Sequence, residues 1–359
     1  MPAGAREAGR ATVGEAARFA RRRHACAATI VVCLASVGKP TYRRARSSAA
    51  AVRDALERAA EFLLACQFPS GAINDRIPDP LGALTAGRPS RRLHFRLRGG
   101  ADIWHTTSAI AALGRAGRSN PAAERFVRSK LSDTGELSYW SAYPSLCIET
   151  CSAAYQALPG ERARLRETIV RHALPGGRWS TSLAPATDGY DAYLAGPSVT
   201  AWALGTLDRK HHGLAKAGRG YLATTLGEEG LWRAHPAFYA TAFYPAHLAI
   251  RYLPSKPLRD AVVAATLRQQ TERGGWAFSV GGKPSALPTA LALSTLLAGG
   301  ARTTGAVRAV KRGTGWLLAN QTRTGAFSLS PAPAVLFYAG DVYATCVAAM
   351  ALAGVGEFL

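Results

Sequence analysis

Apolar and polar positions alternate in two ways along residues 48–359. In one kind of segment, apolar residues recur at i, i+3 and i+4 with Arg, Lys and Glu between them, which predicts an amphipathic helix with one buried face. Six segments have this pattern: Ala51–Ala65, Ala122–Lys130, Glu161–His172, Gly213–Thr225, Leu258–Gln269 and Gly305–Ala319. We expect these helices to form the outside of the fold.

The second kind of segment follows each of the first and is nearly free of charge. These runs are rich in Ala, Leu, Thr and Ser: Thr106–Gly117, Thr150–Leu158, Ser198–Leu207, Tyr239–Tyr252, Ser285–Ala298 and Asp341–Gly354. A helix that is apolar almost all round is a buried helix. The pattern therefore predicts six pairs, each with one outer and one inner helix.

A glycine motif separates the two helices of each pair. The most complete copy is Gln270-Thr-Glu-Arg-Gly274-Gly275-Trp276, and weaker copies place glycines at positions 71, 135, 177, 230 and 325. Glycine ends a helix readily because it adopts positive φ without strain. Six helical hairpins could stack as an open solenoid. We favour a closed α6/α6 toroid, because six pairs allow the last hairpin to meet the first.

The recurring Gln-x-x-x-Gly-x-Trp motif resembles the terpenoid cyclase and protein prenyltransferase superfamily of squalene-cyclase-like repeat proteins. The resemblance extends over residues 48–359 and implies an all-α fold, a single α6/α6 toroid with six helical hairpins. It also implies that Gln270, Trp276, Gln321 and Trp232 stabilise the fold. Chemistry is expected where the inner helices begin, around a central cavity.

Residues 1–47 lie outside the repeats and are predicted to be a basic, flexible N-terminal tail. Their apolar run, Ala25–Val37, is shorter than the ~20 residues of a spanning helix, and a signal segment or a surface anchor stays open. The insertion at residues 74–100 is rich in arginine, so it is either a diphosphate site or a solvated loop.

The chain carries 44 Lys and Arg against 23 Asp and Glu, a net charge of +21. Such an excess indicates nucleic acid or an anionic membrane surface as a partner. No nucleic-acid partner is expected, because the sequence has no RNA-binding motif or zinc-knuckle spacing. Six scattered cysteines without Cys-x-x-Cys indicate a reducing compartment. We expect a cytoplasmic protein, with a membrane-peripheral location as the alternative.

Candidate catalytic residues stand at or near the starts of inner helices. They are Asp102, His105, Glu149, Asp191 and Asp341. Carboxyls crowded around an apolar mouth disfavour full ionisation, so at least one is expected to have a raised pKa and to donate a proton. Asp102 is the preferred acid. Helix capping is the alternative for Asp102 and Asp341, and an Asp-Gly turn is the alternative for Asp191.

No Asp-Asp dipeptide occurs, so the chain lacks two motifs of the superfamily. Asp-Asp-x-x-Asp holds magnesium in ionisation-type terpene synthases, and Asp-x-Asp-Asp-Thr supplies the proton in squalene-type cyclases. Asp102-Ile-Trp104-His105-Thr106 aligns with the Asp-x-Asp-Asp-Thr motif, but Trp104 stands at the position of the proton donor. The acid is therefore expected at another carboxyl of the cavity or at Asp102 itself.

Aromatic residues also gather where inner helices begin. Aromatic faces attract cations, and a cyclase cavity needs such walls around a carbocation. The predicted substrate-binding residues are Trp104, Tyr193, Tyr239 and Tyr343. Ordinary packing at helix ends is the alternative.

His105, Glu149 and Cys151 are a candidate zinc set, because histidine nitrogen, carboxylate and thiolate are zinc ligands. Aligning Thr106-Thr107-Ser108 with Thr150-Cys151-Ser152 puts Glu149 level with His105 on the neighbouring helix. The resemblance gives prenyltransferases a zinc-ligand His and an Asp-x-Cys pair at such positions. No cofactor is expected for a cyclase, and zinc or magnesium is the alternative.

Three hypotheses for function follow. The first is a terpene cyclase-like enzyme that binds a hydrophobic polyprenyl or terpenoid molecule in the central apolar cavity and cyclises it by acid initiation. The second is a zinc prenyltransferase-like transferase. The third is a non-catalytic toroid that binds lipid or protein.

Overall fold

The computed structural model describes residues 48–75, 102–141, 143–181, 196–233, 241–300, 302–330 and 340–358. The predicted tail, residues 1–47, and nearly all of the arginine-rich insertion lie outside these ranges. Helices joined by turns make up most of the described chain, and its one two-stranded sheet is a short hairpin.

Six helices of the described chain carry a polar face and correspond to the predicted outer segments. They are α1 (Ala49–Ala65), α3 (Pro121–Arg128), α5 (Arg162–Arg171), α7 (His212–Thr224), α9 (Lys256–Arg268) and α11 (Thr304–Asn320). Side chains cap several of their starts, as Ser48 does by accepting the N–H of Ala51 at 3.2 Å.

Six further helices of the described chain alternate with these and are mostly buried. They are α2 (Asp102–Arg115), α4 (Ile148–Ala157), α6 (Pro197–Leu204), α8 (Phe243–Ala249), α10 (Ala286–Ala298) and α12 (Asp341–Phe358). Among the described helices, α12 alone is long and apolar enough to cross a membrane by length and composition. It packs against α1, α2 and α10 in the core, which accounts for its apolar composition.

The inner helices form a closed ring. Each one packs against the next in the order α2, α4, α6, α8, α10 and α12, and α12 returns to pack against α2. The first outer helix, α1, covers this junction by contacting both α12 and α2. The predicted all-α toroid is thus the fold, and the open solenoid is not.

The turn glycines join each hairpin to the next outer helix. Gly71 lies against Ala122 of α3, and Gly274 lies against Arg312 of α11. The sixth glycine, Gly325, has φ +88° and lies against the carbonyl of Arg58 in α1, where a Cβ atom would overlap it. Gln321 adds a hydrogen bond from Nε2 to the carbonyl of Ala55 at 2.8 Å. These contacts close the outer layer where the chain repeat ends.

The aromatic residues of the motif are packing residues. Trp179, Trp232 and Trp276 are fully buried, and each donates its indole N–H to the carbonyl ten residues earlier. Gln270 donates from Nε2 to the carbonyls of Gly274 and Ala309, at 2.7 and 2.9 Å. The motif therefore fastens a helix end to its turn and to the neighbouring hairpin.

One strand hairpin interrupts the helices. Strands β1 (Ser138–Trp140) and β2 (Tyr143–Leu146) are antiparallel and lie between the second turn and α4. The sequence did not predict them, because strands this short show too few alternating positions to be recognised. They matter for the site because Tyr139 stacks on Trp104, with ring centroids 5.5 Å apart.

Candidate active site

A side chain near the start of each of several inner helices accepts the backbone N–H of the residue two positions after the turn glycine. Thr106 accepts from Ile73, Thr200 from Trp179, Thr289 from Trp276 and Thr345 from Phe327, over 2.8–3.3 Å. In the second hairpin, the Sγ atom of Cys151 accepts the N–H of Leu137 at 3.3 Å. This bond fixes the position of each inner helix along the barrel axis relative to the turn that precedes it.

The position of Cys151 corrects the predicted alignment of the second hairpin. Cys151, rather than Thr150, is equivalent to Thr106 and Thr345, because it makes the same bond. Counting back two residues makes Glu149 equivalent to Trp104 and Tyr343, not to His105. Glu149 thus lies, on the second inner helix, at the position that Trp104 has on the first.

The three candidate zinc ligands do not converge. His105 bonds through Nδ1 to Asn74 Oδ1 at 2.6 Å, Glu149 accepts from the hydroxyl of Tyr244, and Cys151 contacts the backbone of Leu137. Burial also raises the pKa of the Cys151 thiol, which disfavours the thiolate. No three His, Cys, Asp or Glu side chains of the described residues are placed to hold a metal ion.

Asp102 has a structural partner at the edge of the barrel. Its Oδ1 accepts the backbone N–H of Ser141 at 2.8 Å, which ties the β-hairpin to α2. Asp102 does not line the cavity described below. Its preference as the acid stays a prediction that the geometry does not favour.

Asp341 lies in a cluster with a carboxylate that sequence reasoning missed, Asp75. Asp75 Oδ1 accepts the N–H of Val342 at 2.9 Å, and its Oδ2 is 3.7 Å from His105 Nδ1. Burial raises the pKa of the Asp341 carboxyl, and the charge of Asp75 raises it further. The available signal was the place of Asp75 directly after the first turn motif, where the chain passes to the adjacent inner helix.

Glu149 is the most deeply enclosed carboxyl of the described chain, with 1% of its surface exposed. The hydroxyl of Tyr244 donates to its Oε1 at 3.3 Å, and the indole N–H of Trp202 donates to that hydroxyl at 3.3 Å. Tyr343 also hydrogen-bonds Tyr244, and burial raises the pKa of its phenol, so it stays uncharged. Tyr244 belongs to the group of aromatic residues predicted at the start of the fourth inner helix, of which only Tyr239 was chosen as a site residue. Trp202 was missed because it lies inside an inner-helix run typical of a buried helix.

An aromatic cluster surrounds this network. The indole of Trp104 lies 5.8 Å from the ring of Tyr343 and 5.9 Å from that of Trp202, between ring centroids. His105 also stacks on Tyr343, with ring centroids 6.1 Å apart. Of the predicted aromatic walls, Trp104 and Tyr343 are therefore together. Asp191, Tyr193 and Tyr239 lie outside the described residues.

A cavity of about 890 Å³ runs inside the inner ring. Trp104, Trp202 and Tyr343 line its inner end, and small or aliphatic residues of the inner helices line its walls. Four arginines and two glutamates line the far end: Arg115, Arg118, Arg251, Arg302, Glu124 and Glu357. On α2 the two ends, Trp104 and Arg115, are about 16 Å apart at 1.5 Å per residue.

His247 also lines the cavity. Its Nδ1 is 2.5 Å from the carbonyl of Tyr244, so Nδ1 carries the proton and donates it. Burial lowers the pKa of His247 to about 4, which keeps the ring uncharged at neutral pH. The remaining nitrogen, Nε2, is then a hydrogen-bond acceptor.

The structure is similar to those of type II terpene cyclases. A variant of MstE from Scytonema, in complex with geranylgeranyl dihydroxybenzoate, superposes with a TM-score of 0.65 at 17% identity, covering 87% of this chain and 99% of that one. The ent-copalyl diphosphate synthase from Streptomyces platensis superposes with a TM-score of 0.54 at 18% identity, covering 85% and 67%.

A glycosyl hydrolase family 88 protein from Bacteroides vulgatus superposes as well, with a TM-score of 0.51 at 14% identity, covering 86% and 99%. No family model and no curated protein matches the sequence. The likeness confirms the resemblance predicted from the repeats at the level of the fold. Function rests on the site itself.

Proposed function

We propose that this protein is a terpene cyclase-like enzyme that binds a polyprenyl or terpenoid chain in the barrel cavity and cyclises it after protonating an alkene. The observation that carries the proposal is the buried carboxyl of Glu149 beside the aromatic inner end of that cavity. The complexes and names of the structural neighbours support the same class of substrate.

The surroundings of Glu149 suit an acid. The side chain of Glu149 has only 1% of its surface exposed, and burial disfavours the charged form of a carboxyl. Trp104, Trp202 and Tyr343 present aromatic rings at the inner end, where they would stabilise the carbocation that protonation creates. The small side chains of the walls leave room for an apolar chain to fold on itself.

The hydroxyls of Tyr244 and Tyr343 connect Glu149 to the cavity. In the proposed step Glu149 is protonated and donates to Tyr244, which reverses the hydrogen bond of the resting structure. Tyr343 gives its proton to an alkene carbon and takes one from Tyr244, which takes one from Glu149. Glu149 is left as a carboxylate and the substrate as a cation. Ring closure moves the positive charge along the chain, and loss of a proton from the final cation completes an isomerisation.

Asp341 is the second candidate for the acid. Its raised pKa and its neighbour Asp75 favour a carboxyl that holds a proton. It lies on the same inner helix as Tyr343, two residues earlier, so both clusters adjoin the same aromatic group. Variants of the two carboxyls separate these alternatives.

The test is product formation by the purified protein with geranylgeranyl diphosphate and with geranylgeranyl dihydroxybenzoate. Cyclisation leaves the mass unchanged, so chromatography with mass spectrometry should show an isomer that elutes differently. We expect Glu149→Gln to lower the rate about 100-fold or more, since general acids contribute this much. Glu124→Gln is the matched control, because Glu124 lies at the far end of the cavity and pairs with Arg128.

Undiminished turnover by Glu149→Gln with loss of turnover by Asp341→Asn would transfer the role to Asp341. Binding of the prenyl chain without any turnover would favour the non-catalytic toroid. Loss of turnover only in Glu149→Gln, with unchanged folding by circular dichroism, would support the proposal.

A further inference from the structure

We infer that His247 ends the reaction by taking a proton from the last carbocation at its Nε2 atom, so that the product leaves as an alkene and not as an alcohol. The inference rests on the proposed function, because it concerns the cation formed in the same cavity. The imidazole of His247 meets three requirements of such a base. It lines the substrate space, its tautomer leaves a lone pair on Nε2, and it carries no positive charge at neutral pH.

The position of His247 separates it from the point where the proton enters. His247 lies on α8 three residues after Tyr244, is partly exposed, and lines the cavity wall. The two residues are about 4.5 Å apart along the helix axis, in the direction of the far end. Their rings meet edge to face, with centroids 5.4 Å apart. A cation formed beside the Tyr244 hydroxyl can therefore pass through ring closure before it comes within reach of His247.

One hydrogen bond keeps the lone pair of His247 available. Its Nδ1 atom donates to the backbone carbonyl of Tyr244 at 2.5 Å. Because a backbone carbonyl can only accept, the proton stays on Nδ1 and the lone pair stays on Nε2. The tautomer that a base needs is thus set by the backbone of α8 itself.

The charge state of His247 also suits this role. Burial lowers its pKa to about 4, and the charge of Arg251 acts in the same direction. The imidazole is then neutral at neutral pH and does not repel an approaching cation. A C–H bond next to a cationic carbon is far more acidic than an imidazolium, so a weak base suffices. The low pKa also favours release of the proton to water after the product has left.

The carboxylates of the cavity wall are less suited to accept this proton. Glu124 lies 3.0 Å from Arg128, and Glu357 lies 3.6 Å from Arg115, both at the far end. An arginine partner favours the charged form of a carboxyl and lowers its basicity. Among the described residues that line the cavity, His247 is the only one with an uncharged basic nitrogen.

The proposed step conserves protons and electrons. The C–H bond next to the cationic carbon breaks, its electron pair forms the new C=C bond, and the proton bonds to Nε2 of His247. His247 later gives this proton to water, and Glu149 recovers one from water through the hydroxyls of Tyr244 and Tyr343. The sum is an isomerisation in which no water is added to the product.

The experiment compares substrate consumption and product composition for the wild-type protein, His247→Gln and His247→Phe, with geranylgeranyl diphosphate and geranylgeranyl dihydroxybenzoate as substrates. Gln keeps a donor for the Tyr244 carbonyl, Phe keeps a flat ring beside Tyr244, and neither can take up the proton. We expect the share of the wild-type alkene among the products to fall about tenfold or more in both variants, since a positioned base contributes at least this much.

Mass spectrometry should find the missing product as an alcohol, heavier by one water, or as an alkene with its double bond at another position. Substrate consumption should stay largely unchanged, because protonation of the alkene precedes the step of His247. This division between consumption and product identity distinguishes a base from a residue that only supports the fold.

His211→Gln is the matched control, since His211 pairs with Asp208 at 2.8 Å and does not line the cavity. Its products should match those of the wild-type protein, and circular dichroism should show the variants folded. Three results would overturn the inference while the proposed function stands: the same alkene from a folded His247 variant, an added water in the wild-type product, or a loss of consumption equal to the loss of alkene. If the wild-type protein consumes neither substrate, the proposed function fails and this inference fails with it.

Discussion

Tyr244 links two groups of opposite character inside the barrel. Its hydroxyl donates to the carboxyl of Glu149, and its backbone carbonyl accepts from Nδ1 of His247. Tyr244 thus bonds the buried carboxyl of Glu149 through its hydroxyl and fixes the tautomer of the neutral His247 imidazole through its carbonyl. Substitution of Tyr244 is expected to disturb both, whereas substitution of His247 leaves the acid in place.

His247 should make folding stability depend on pH. Its folded pKa, about 4, lies below the value of about 6.5 for an unfolded chain, so the unfolded state binds more protons between these limits. Its contribution is fully present above pH 6.5 and is lost as the pH falls towards 4. The loss should reach at most about 3 kcal/mol.

Urea unfolding at pH 7.5 and pH 5.0 measures this effect. The wild-type protein should lose more free energy of unfolding between the two values than His247→Gln, which has no imidazole to protonate. An identical loss in both proteins would show that other groups govern the pH dependence.

Single side chains were also the scale at which sequence reasoning was weakest. The candidate carboxyls could be named from the sequence. Choosing among them as the acid required the correct alignment of the inner helices with one another. Cys151 accepts the turn N–H that a threonine accepts in other hairpins. Matching Thr150 to Thr106 therefore shifted the predicted alignment of the second inner helix by one residue. Asp75 and Tyr244 had no motif of their own, and only packing placed them in the site.

Helices and turns followed the sequence closely. The hydrophobic period located all twelve helices of the described chain, and the glycines marked the turns between them. The fourth inner helix is the main difference, since it was expected from Tyr239 and begins at Phe243. Thr241 Oγ1 accepts the N–H of Phe243 at 3.3 Å, a local bond that favours a turn over a helix.

The sixth turn gives a prediction for the elements. Gly325→Ala places a methyl group against the carbonyl of Arg58 and forces a non-glycine residue to positive φ. Both effects act on the contact between the last turn and α1. We expect a loss of about 1–3 kcal/mol in the free energy of unfolding, the range for adding a methyl group where neighbouring atoms have to move.

Gly220→Ala is the matched control, because Gly220 lies in α7 with open space around its Cα. Alanine favours a helix over glycine by about 1 kcal/mol, so this variant should be neutral or stabilised. Chemical denaturation compares the two. Equal stability of Gly325→Ala and the wild-type protein would show that the sixth turn accommodates the methyl group without a loss of stability.

On the scale of the whole molecule, the ring has no free end among its inner helices. In an open array the terminal repeats have one neighbour fewer and unfold more readily. Here α12 packs against α2, and α1 covers their junction. The repeat count made this closure predictable, whereas the cavity and its contents depend on side chains that the repeats do not specify.

Hydrogen exchange can test the closure. Backbone amides of α1, α2 and α12 should exchange as slowly as those of α10, because all have neighbours on both sides. Exchange followed by mass spectrometry over minutes to days measures this in the native protein. Markedly faster exchange confined to α1 and α12 would indicate that the ring opens there.

A hydrogen bond from a turn N–H to the side chain of Thr106, Cys151 or Thr345 sets the axial position of Trp104, Glu149 and Tyr343, two residues earlier on each helix. The scaffold therefore provides several equivalent places for a reactive group, each aimed at the interior from a different direction. In an enzyme of the proposed kind, exchanging two side chains at equivalent positions would move the acid from one hairpin to another without rebuilding the barrel. The ring pattern of the product would then change while the sequence repeats stay the same. The repeats alone therefore carry little information about the product.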